Sequence, residues 1–497
     1  MEQLNDVLRY KKCVCREVKE HLMETQLHLP DYYPDICRIL FCQVKPYAEH
    51  CSVENDRVVM DAVAEIRLLY CDADNRMQLF TSEVRYSKNA VLQKTVNNAV
   101  VQCSQNVASS TYRAVGPRRV DVKASIAVTT EVSEPVTLQL KPDIAADVEV
   151  LRADKEFFDL HVHYSGSFVI SESFSVQDER LKESRVLMES CRVSTTEVKL
   201  VNDKILIKGY LDMQLSCLHE KENTIFKYNE NIAFSQVIDL YGVLETDICN
   251  VVFDPQKLNL SFRENGECDV SLSVNTVIIA GAQVIIPVVK DLFAVRKHAD
   301  VHYDDGLTGV CCRPISENFL CSVHVEKNEY TDLQILAAYQ NATDYTLHLE
   351  SGKITAKGTI EVCAVIQVDS ECQYIVRKIA FEQVKDLASC DLGCVFGSIV
   401  CKGVSCAKTA DGLTLKAELD LVGCVIGEET IRYVDSYSLE EKESEDVCLI
   451  SLYFAQPGEG VWAIAKENRV PVQSLRVLND LHEDIIKEDQ TLLLLNH

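Results

Sequence analysis

The sequence predicts a mainly β protein, built of three repeated antiparallel β domains, sandwich- or barrel-like, with a small βααβ unit at the end. Three observations carry this reading. Val, Ile, Thr and Ser alternate with polar residues along most of the chain, and polar turn signals such as "CDADN" (71–75) and "ENGE" (264–267) interrupt them. The alternating region repeats itself with a period near 148 residues. In the final stretch the apolar spacing changes from two to that of a helix, around the single tryptophan of a 497-residue chain.

The repeat is clearest in "NIAFSQVIDL" (231–240) and "KIAFEQVKDL" (378–387), where Ile232 and Ile379 stand 147 residues apart. "VRYSKNAVL" (84–92) keeps the same apolar rhythm one period earlier. Upstream, Arg57, Lys204 and Lys353 each follow a polar turn and open a long alternating run, at spacings of 147 and 149. "RIL" (38–40), "RVL" (185–187) and "QIL" (334–336) hold the register too. A period this long makes each copy a domain rather than a solenoid unit. The repeat also decides the charge-free run at 270–289. It is the second copy of a strand pair that carries charges elsewhere, so buried strands are expected there and not a membrane span.

The resulting division is an N-terminal helical segment (1–23, from Asn5 to about Met23), three β domains (24–150, 151–297 and 298–436), a charged linker (437–447) and the terminal unit (448–497). "SLEEKESED" (438–446) is the basis for the linker.

Composition narrows the function classes. Hydrophobic content of 47% and charged content of 25% are those of globular protein. A formal net charge of −26 without a basic patch excludes nucleic acid and anionic lipid as natural partners, because both need counterion release from clustered cations. The charged N-terminus has no apolar core of a secretory signal, which predicts a cytoplasmic protein without membrane insertion. The 22 cysteines are then expected as reduced thiols, several in apolar runs such as "MQLSCL" and "IEVCAVI".

The last fifty residues read as strand, helix, helix, strand. "CLISLYFAQPGEG" ends a strand in a Pro-Gly turn, and "GVWAIAKEN" puts Val461, Trp462 and Ala465 at helical spacing. "PVQSLRVLN" opens with Pro471 at a helix start, where its missing N–H costs nothing. "QTLLLL" (490–495) closes the unit. Trp462 is expected to serve first as its packing anchor, since a unit this small needs a large apolar side chain.

This pattern resembles the LysM domain. The turn reads Gly458-Glu459-Gly460-Val461-Trp462, followed by Ile464-Ala465, Val470, Val472, Leu475, Leu478 and Asn479. The resemblance implies a shallow groove between two loops, lined by Gly458, Glu459, Gly460, Val461 and Trp462 on one side and by Asn479, Asp480, Leu481 and Ile485 on the other. LysM domains bind N-acetylglucosamine glycans such as peptidoglycan. Here Gly460 replaces the usual turn hydroxyl, and Glu488-Asp489-Gln490 replaces Pro-Gly-Gln. The repeated domain, in turn, resembles the SPOCS domain, through "LPDYYPDICRIL" (29–40), the basic residue before the long strand and the "IAF…V.DL" block. Three such domains followed by a LysM is the layout of SipL-like spore coat morphogenetic proteins. That resemblance implies a mother-cell protein at the forespore surface whose LysM binds the spore coat morphogenetic ATPase, with peptidoglycan as the alternative ligand.

No catalytic signature accompanies this. P-loop, Gly-x-Ser-x-Gly and HExxH motifs do not occur, and neither does a CxxC pair. Cys390, Cys394, Cys401 and Cys406 cluster in sequence without zinc spacing. His161 and His163 share one side of a strand, and an exposed strand face is expected there rather than a metal pair. Asp31 and Asp35 sit among prolines as turn formers. The expectation is a protein with no enzymatic activity, no cofactor and no metal.

Overall fold

The computed structural model describes residues 7–495 except 55, 93–94, 97, 141–143, 264–265, 327–332, 369–370, 388–391 and 442–449. The chain is mainly β. The first repeat comprises β1 (Val7–His28), β2 (Arg38–Glu54), β3 (Arg57–Cys71), β4 (Met77–Val91), β5 (Val100–Gly116) and β6 (Arg119–Gln139). The second comprises β7 (Val148–Ser175), β8 (Ser184–Val201), β9 (Lys204–His219), β10 (Thr224–Asp239), β11 (Ile248–Phe262) and β12 (Glu267–Ala294). The third comprises β13 (Lys297–Glu326), β14 (Leu333–Glu350), β15 (Lys353–Val368), β16 (Glu371–Asp386), β17 (Leu392–Thr409) and β18 (Gly412–Glu441). Each repeat forms the same two antiparallel three-stranded sheets, in orders β2-β3-β4 and β1-β6-β5 for the first. Their apolar faces pack on one another: Val44, Ile66 and Leu68 from one sheet share a core with Leu27, Val122 and Ile126 from the other.

Arg57, Lys204 and Lys353 open the central strands β3, β9 and β15, as the repeat requires. A β-bulge also recurs: the register slips between Ile39 and Phe41, between Val186 and Met188, and between Ile335 and Ala337. The extra residues are Leu40, Leu187 and Leu336. A bulge bends its strand and re-aims side chains, and these three turn toward each other. Leu40, Leu187 and Leu336 meet in one apolar cluster with Phe41, Met188 and Tyr339. The three copies therefore converge on a common core.

They converge a second time through the ends of their longest strands. β12 pairs with β11 only as far as Gly281, and its remainder, to Ala294, pairs with β7 alone as a two-stranded ribbon. The β13–β18 pair extends in the same way. Leu8 and Leu140, Phe157 and Val288, and Ile431 and Tyr433 bring the ribbons of all three repeats into one cluster. The close pairing explains two glycines at matching positions. A Cβ on Gly209 would lie 1.9 Å from Ser194 O, and one on Gly358 would lie 2.1 Å from Asp344 O.

The structure corrects the sequence reading in several places. Residues 7–28 are not a helix but strand β1, paired along its length with β6. A bulge at Val14 shifts the register between Cys13 and Cys15 and breaks the alternation that would have marked a strand. β1 is an edge strand, and its charged outer residues suit an edge that must not pair further. The expected boundary at 150/151 falls inside β7, and residues 437–441 of the expected linker belong to β18. The rest of that linker, part of "ENGE" and Cys390 lie outside the described residues. The uncharged run at 270–289 is strand β12, and no helix among the described residues is long and apolar enough to cross a membrane. Cys51 and Cys103 form a disulfide that joins β2 to β5, in place of the free thiols expected there.

Candidate binding unit at the C-terminus

The terminal unit has the expected order: β19 (Ile450–Ala455), α1 (Val461–Asn468), α2 (Val472–Asn479) and β20 (Gln490–Leu495). β19 and β20 pair antiparallel, with Leu452 opposite Leu493. Gly458, at φ +95°, turns the chain after β19, a conformation that suits a residue without Cβ. Arg469 and Asp480 adopt left-handed backbone and end the two helices. Pro471 immediately precedes α2.

The two loops expected to flank a groove are joined by backbone hydrogen bonds. Gly458 N donates to Ile486 O at 2.8 Å, Ile486 N to Glu459 O at 2.8 Å, and Val461 N to Asp484 O at 2.9 Å, with Gly460 bridged to Ile485. Several predicted groove residues therefore hold the unit together. Val461 is fully buried in its core, which corrects its assignment to a ligand-facing wall. Glu459 accepts from Tyr453 OH at 3.2 Å and from Gln456 N at 2.9 Å. Asn479 ties α2 to β20, donating to Leu475 O and Leu493 O and accepting from Leu493 N. Gly458, Asp480 and Ile485 remain exposed, and Leu481 is partly covered.

Trp462 faces the β body. Its Nε1 donates to Asp291 Oδ2 at 2.9 Å, and its ring meets Phe293 edge-on at 5.1 Å between centroids. Lys466, one helical turn later, reaches both Asp291 oxygens at 2.7 Å, and Tyr303 OH donates to Oδ1 at 2.7 Å. Burial would raise the Asp291 carboxyl, but the hydrogen bonds from Lys466, Trp462 and Tyr303 outweigh it and hold it below the usual range. The unit is thus docked on the free ribbon of the second repeat. Sequence reasoning missed Asp291 and Phe293. The available signal was a lone acid in the apolar run "VIIPVVKDLFAV".

With that face occupied, the remaining exposed apolar side chains mark where a partner could sit. On the outer face of the small sheet Leu452 is 62% and Phe454 75% exposed, and beside the joined loops Val477 is 71% and Ile485 57% exposed.

The histidines singled out in sequence are not on an exposed face. The His161 side chain is only 5% exposed, with Nδ1 2.8 Å from Asp247 Oδ1 and Nε2 3.1 Å from Asp159 Oδ2. Arg9 of the first repeat completes the group, donating to both Asp159 oxygens. Burial would raise the Asp159 carboxyl, yet hydrogen bonds from His161 and Arg9 bring it down to about 2. The hydrogen bond to Asp159 raises His161. His163 makes different contacts, to Gln102 and Ser133, and burial lowers it. The register of β7 on β12 slips at His161, between Ala280 and Gly281, and this bulge interrupts the alternation that placed the two histidines on one side.

Among known families, residues 184–263, from β8 into the loop after β11, match the one described as SipL, SPOCS domain. No curated protein and no solved structure matches the chain.

Proposed function

We propose that the protein is a non-enzymatic scaffold of spore coat assembly. In this reading the three-repeat body provides bulk and spacing at the forespore surface, on the mother-cell side. The βααβ unit captures a protein partner, the ATPase of the coat basement layer. The observation that carries the reading is the match of residues 184–263 to the SPOCS domain, within a body where the same two-sheet framework occurs three times. The LysM-like unit supports the adaptor role. It offers exposed apolar side chains on a small, rigid platform, the kind of surface on which a few central contacts supply most of the binding energy. Repetition of the partner in a coat layer would add avidity.

The test is a tagged pull-down from sporulating cells, comparing the full chain with Trp462→Ala and with a chain ending at residue 447. Co-purification of the ATPase with the full chain and its loss on truncation supports the reading. Retention after truncation moves recognition to the β body. Recovery of wall fragments in place of the ATPase favours peptidoglycan binding through the same unit.

A further inference from the structure

The three repeats enclose a cavity of about 670 Å³, with wall residues from all of them. This is the volume of a drug-sized ligand site. Amide side chains stitch its wall across the repeats: Gln43 Nε2 donates to Gln340 O at 3.3 Å, and Gln256 Oε1 accepts from Ala48 N at 3.2 Å. Tyr345 adds aromatic surface, while the rings of Tyr47 and Phe396, also on the wall, already face Lys45 and Lys11.

The charges on this wall are unevenly matched. Glu189 is held by Lys45 at 2.9 Å and by Arg67. Glu131 is held by Lys11 at 2.9 Å, and Glu49 lies 3.9 Å from Arg85. Asp254, on β11, is the one wall carboxylate with no cation within 4.0 Å among the described residues. Its side-chain partner is the neutral amide of Gln256, at 2.7 Å. Asp254 is exposed where it meets the cavity, yet the surrounding protein is dense enough that burial raises its carboxyl to about 6. A carboxylate that faces the cavity with no cation of its own is open to one carried by a ligand. Lys45, the nearest cationic influence, is already engaged by Glu189. The net charge of −26 draws cations toward the protein as a whole.

We propose that this cavity binds an organic polycation of the polyamine class, with one ammonium seated on Asp254 and the amide oxygens of the wall, together with the Tyr345 ring, receiving the rest of the chain. Alternating ammonium and methylene groups suit a wall that mixes carbonyl acceptors with a ring, since aromatic faces attract cations and cover methylenes. Lys227, the wall cation with no ion-pair partner among the described residues, also borders an adjoining cleft and is the feature that would favour an anion instead.

The test is calorimetric titration of the full chain with spermidine in about 0.15 M salt, where loose condensation on an acidic surface is screened. One saturable site per chain is expected, with affinity at least tenfold weaker in Asp254→Asn. That variant keeps the shape and removes an unpaired carboxylate, so its melting temperature without ligand should equal or exceed that of the native chain. A measurement on the native chain alone provides a second check: spermidine should raise its melting temperature and tetraethylene glycol, a neutral chain of similar length, should not. Equal heats in both proteins, the absence of a saturable site, equal protection by the glycol, or binding of inorganic phosphate in place of spermidine would each overturn the proposal.

Discussion

Trp462 donates its indole N–H to the Asp291 carboxylate at 2.9 Å, across 171 residues of sequence. Lys466 shares the same carboxylate, so one side chain of the second repeat makes both polar contacts to the C-terminal unit, beside the apolar contact of Phe293. Replacing Asp291 with Ala leaves an indole N–H and an ammonium without their acceptor, a loss of about 1–3 kcal/mol for hydrogen bonds to a charged group. Because Trp462 is the only tryptophan, its fluorescence reports the contact directly. Asp291→Ala should shift the emission to the red with little change in circular dichroism. An unshifted spectrum would mean that Phe293 and the apolar contact suffice. The Asp291 carboxyl is held below its ordinary value, so its contribution is full above about pH 4 and is lost as the pH falls further.

The Arg9–Asp159–His161–Asp247 group joins the first two repeats and titrates at both ends. His161 is raised, so its contribution is complete below about pH 6.5 and is lost as the pH rises through its folded value. Asp159 is depressed to about 2, so its contribution is present above about pH 4 and is lost toward 2. The contact is therefore firmest between those limits. Melting temperature measured from pH 6 to 9 should fall less steeply in His161→Gln than in the native chain. Parallel profiles would show that His161 does not titrate in this range.

Much of this architecture is legible in the sequence, and the reason is local. Arg57, Lys204 and Lys353 mark strand starts by short-range turn chemistry, and the βααβ order follows from periodicity around Trp462 and Pro471. What stays hidden depends on distant pairing. β1 passes for a helix because the bulge at Val14 resets its alternation. The burial of His161 comes from Arg9 and Asp247, which no pattern on β7 announces. Cys51 and Cys103 stand out in no way among 22 cysteines until β2 and β5 come together. The structural part played by several expected groove residues is hidden for a similar reason: Gly458–Val461 and Asp484–Ile486 satisfy each other's backbone groups, an arrangement that leaves no periodic trace.

Leu187 tests whether the repeats fold as one. It is fully buried where all three copies meet. Leu187→Ala should cost about 2–5 kcal/mol, as a buried leucine truncation does. The whole body, not the second repeat alone, should unfold at lower denaturant. Separate transitions for the repeats, with only one displaced, would show that the shared core couples them weakly.

The Cys51–Cys103 bridge closes a loop with a sequence separation of 52. Constraining a loop of that length contributes at most about 4 kcal/mol through the unfolded state. A peptide map without reductant should contain the linked pair, and Cys103→Ser should lower the melting temperature only when compared with oxidised protein. Two free thiols in the map, under conditions that exclude reduction, would remove the bridge from the account.

Leu452 and Phe454 provide the sharpest test of the adaptor reading. Both lie on the outer face of the β19–β20 sheet, away from the buried Leu492 and Leu494. Neither takes part in the contact with Asp291. Exposed leucine and phenylalanine contribute little to folding, so the double change Leu452→Ser, Phe454→Ser should leave stability and Trp462 emission almost unaltered. If this face receives the partner, the same change removes two apolar anchors from the centre of the contact, and each such anchor typically contributes about 2 kcal/mol or more. Partner capture should then fall by at least a hundredfold while the docked state persists. The opposite pattern, with capture intact here but lost in Val477→Ser, Ile485→Ser, would move the contact to the surface beside the joined loops. The unit would still be the adaptor, but it would bind its partner through α2 and the loop that follows it.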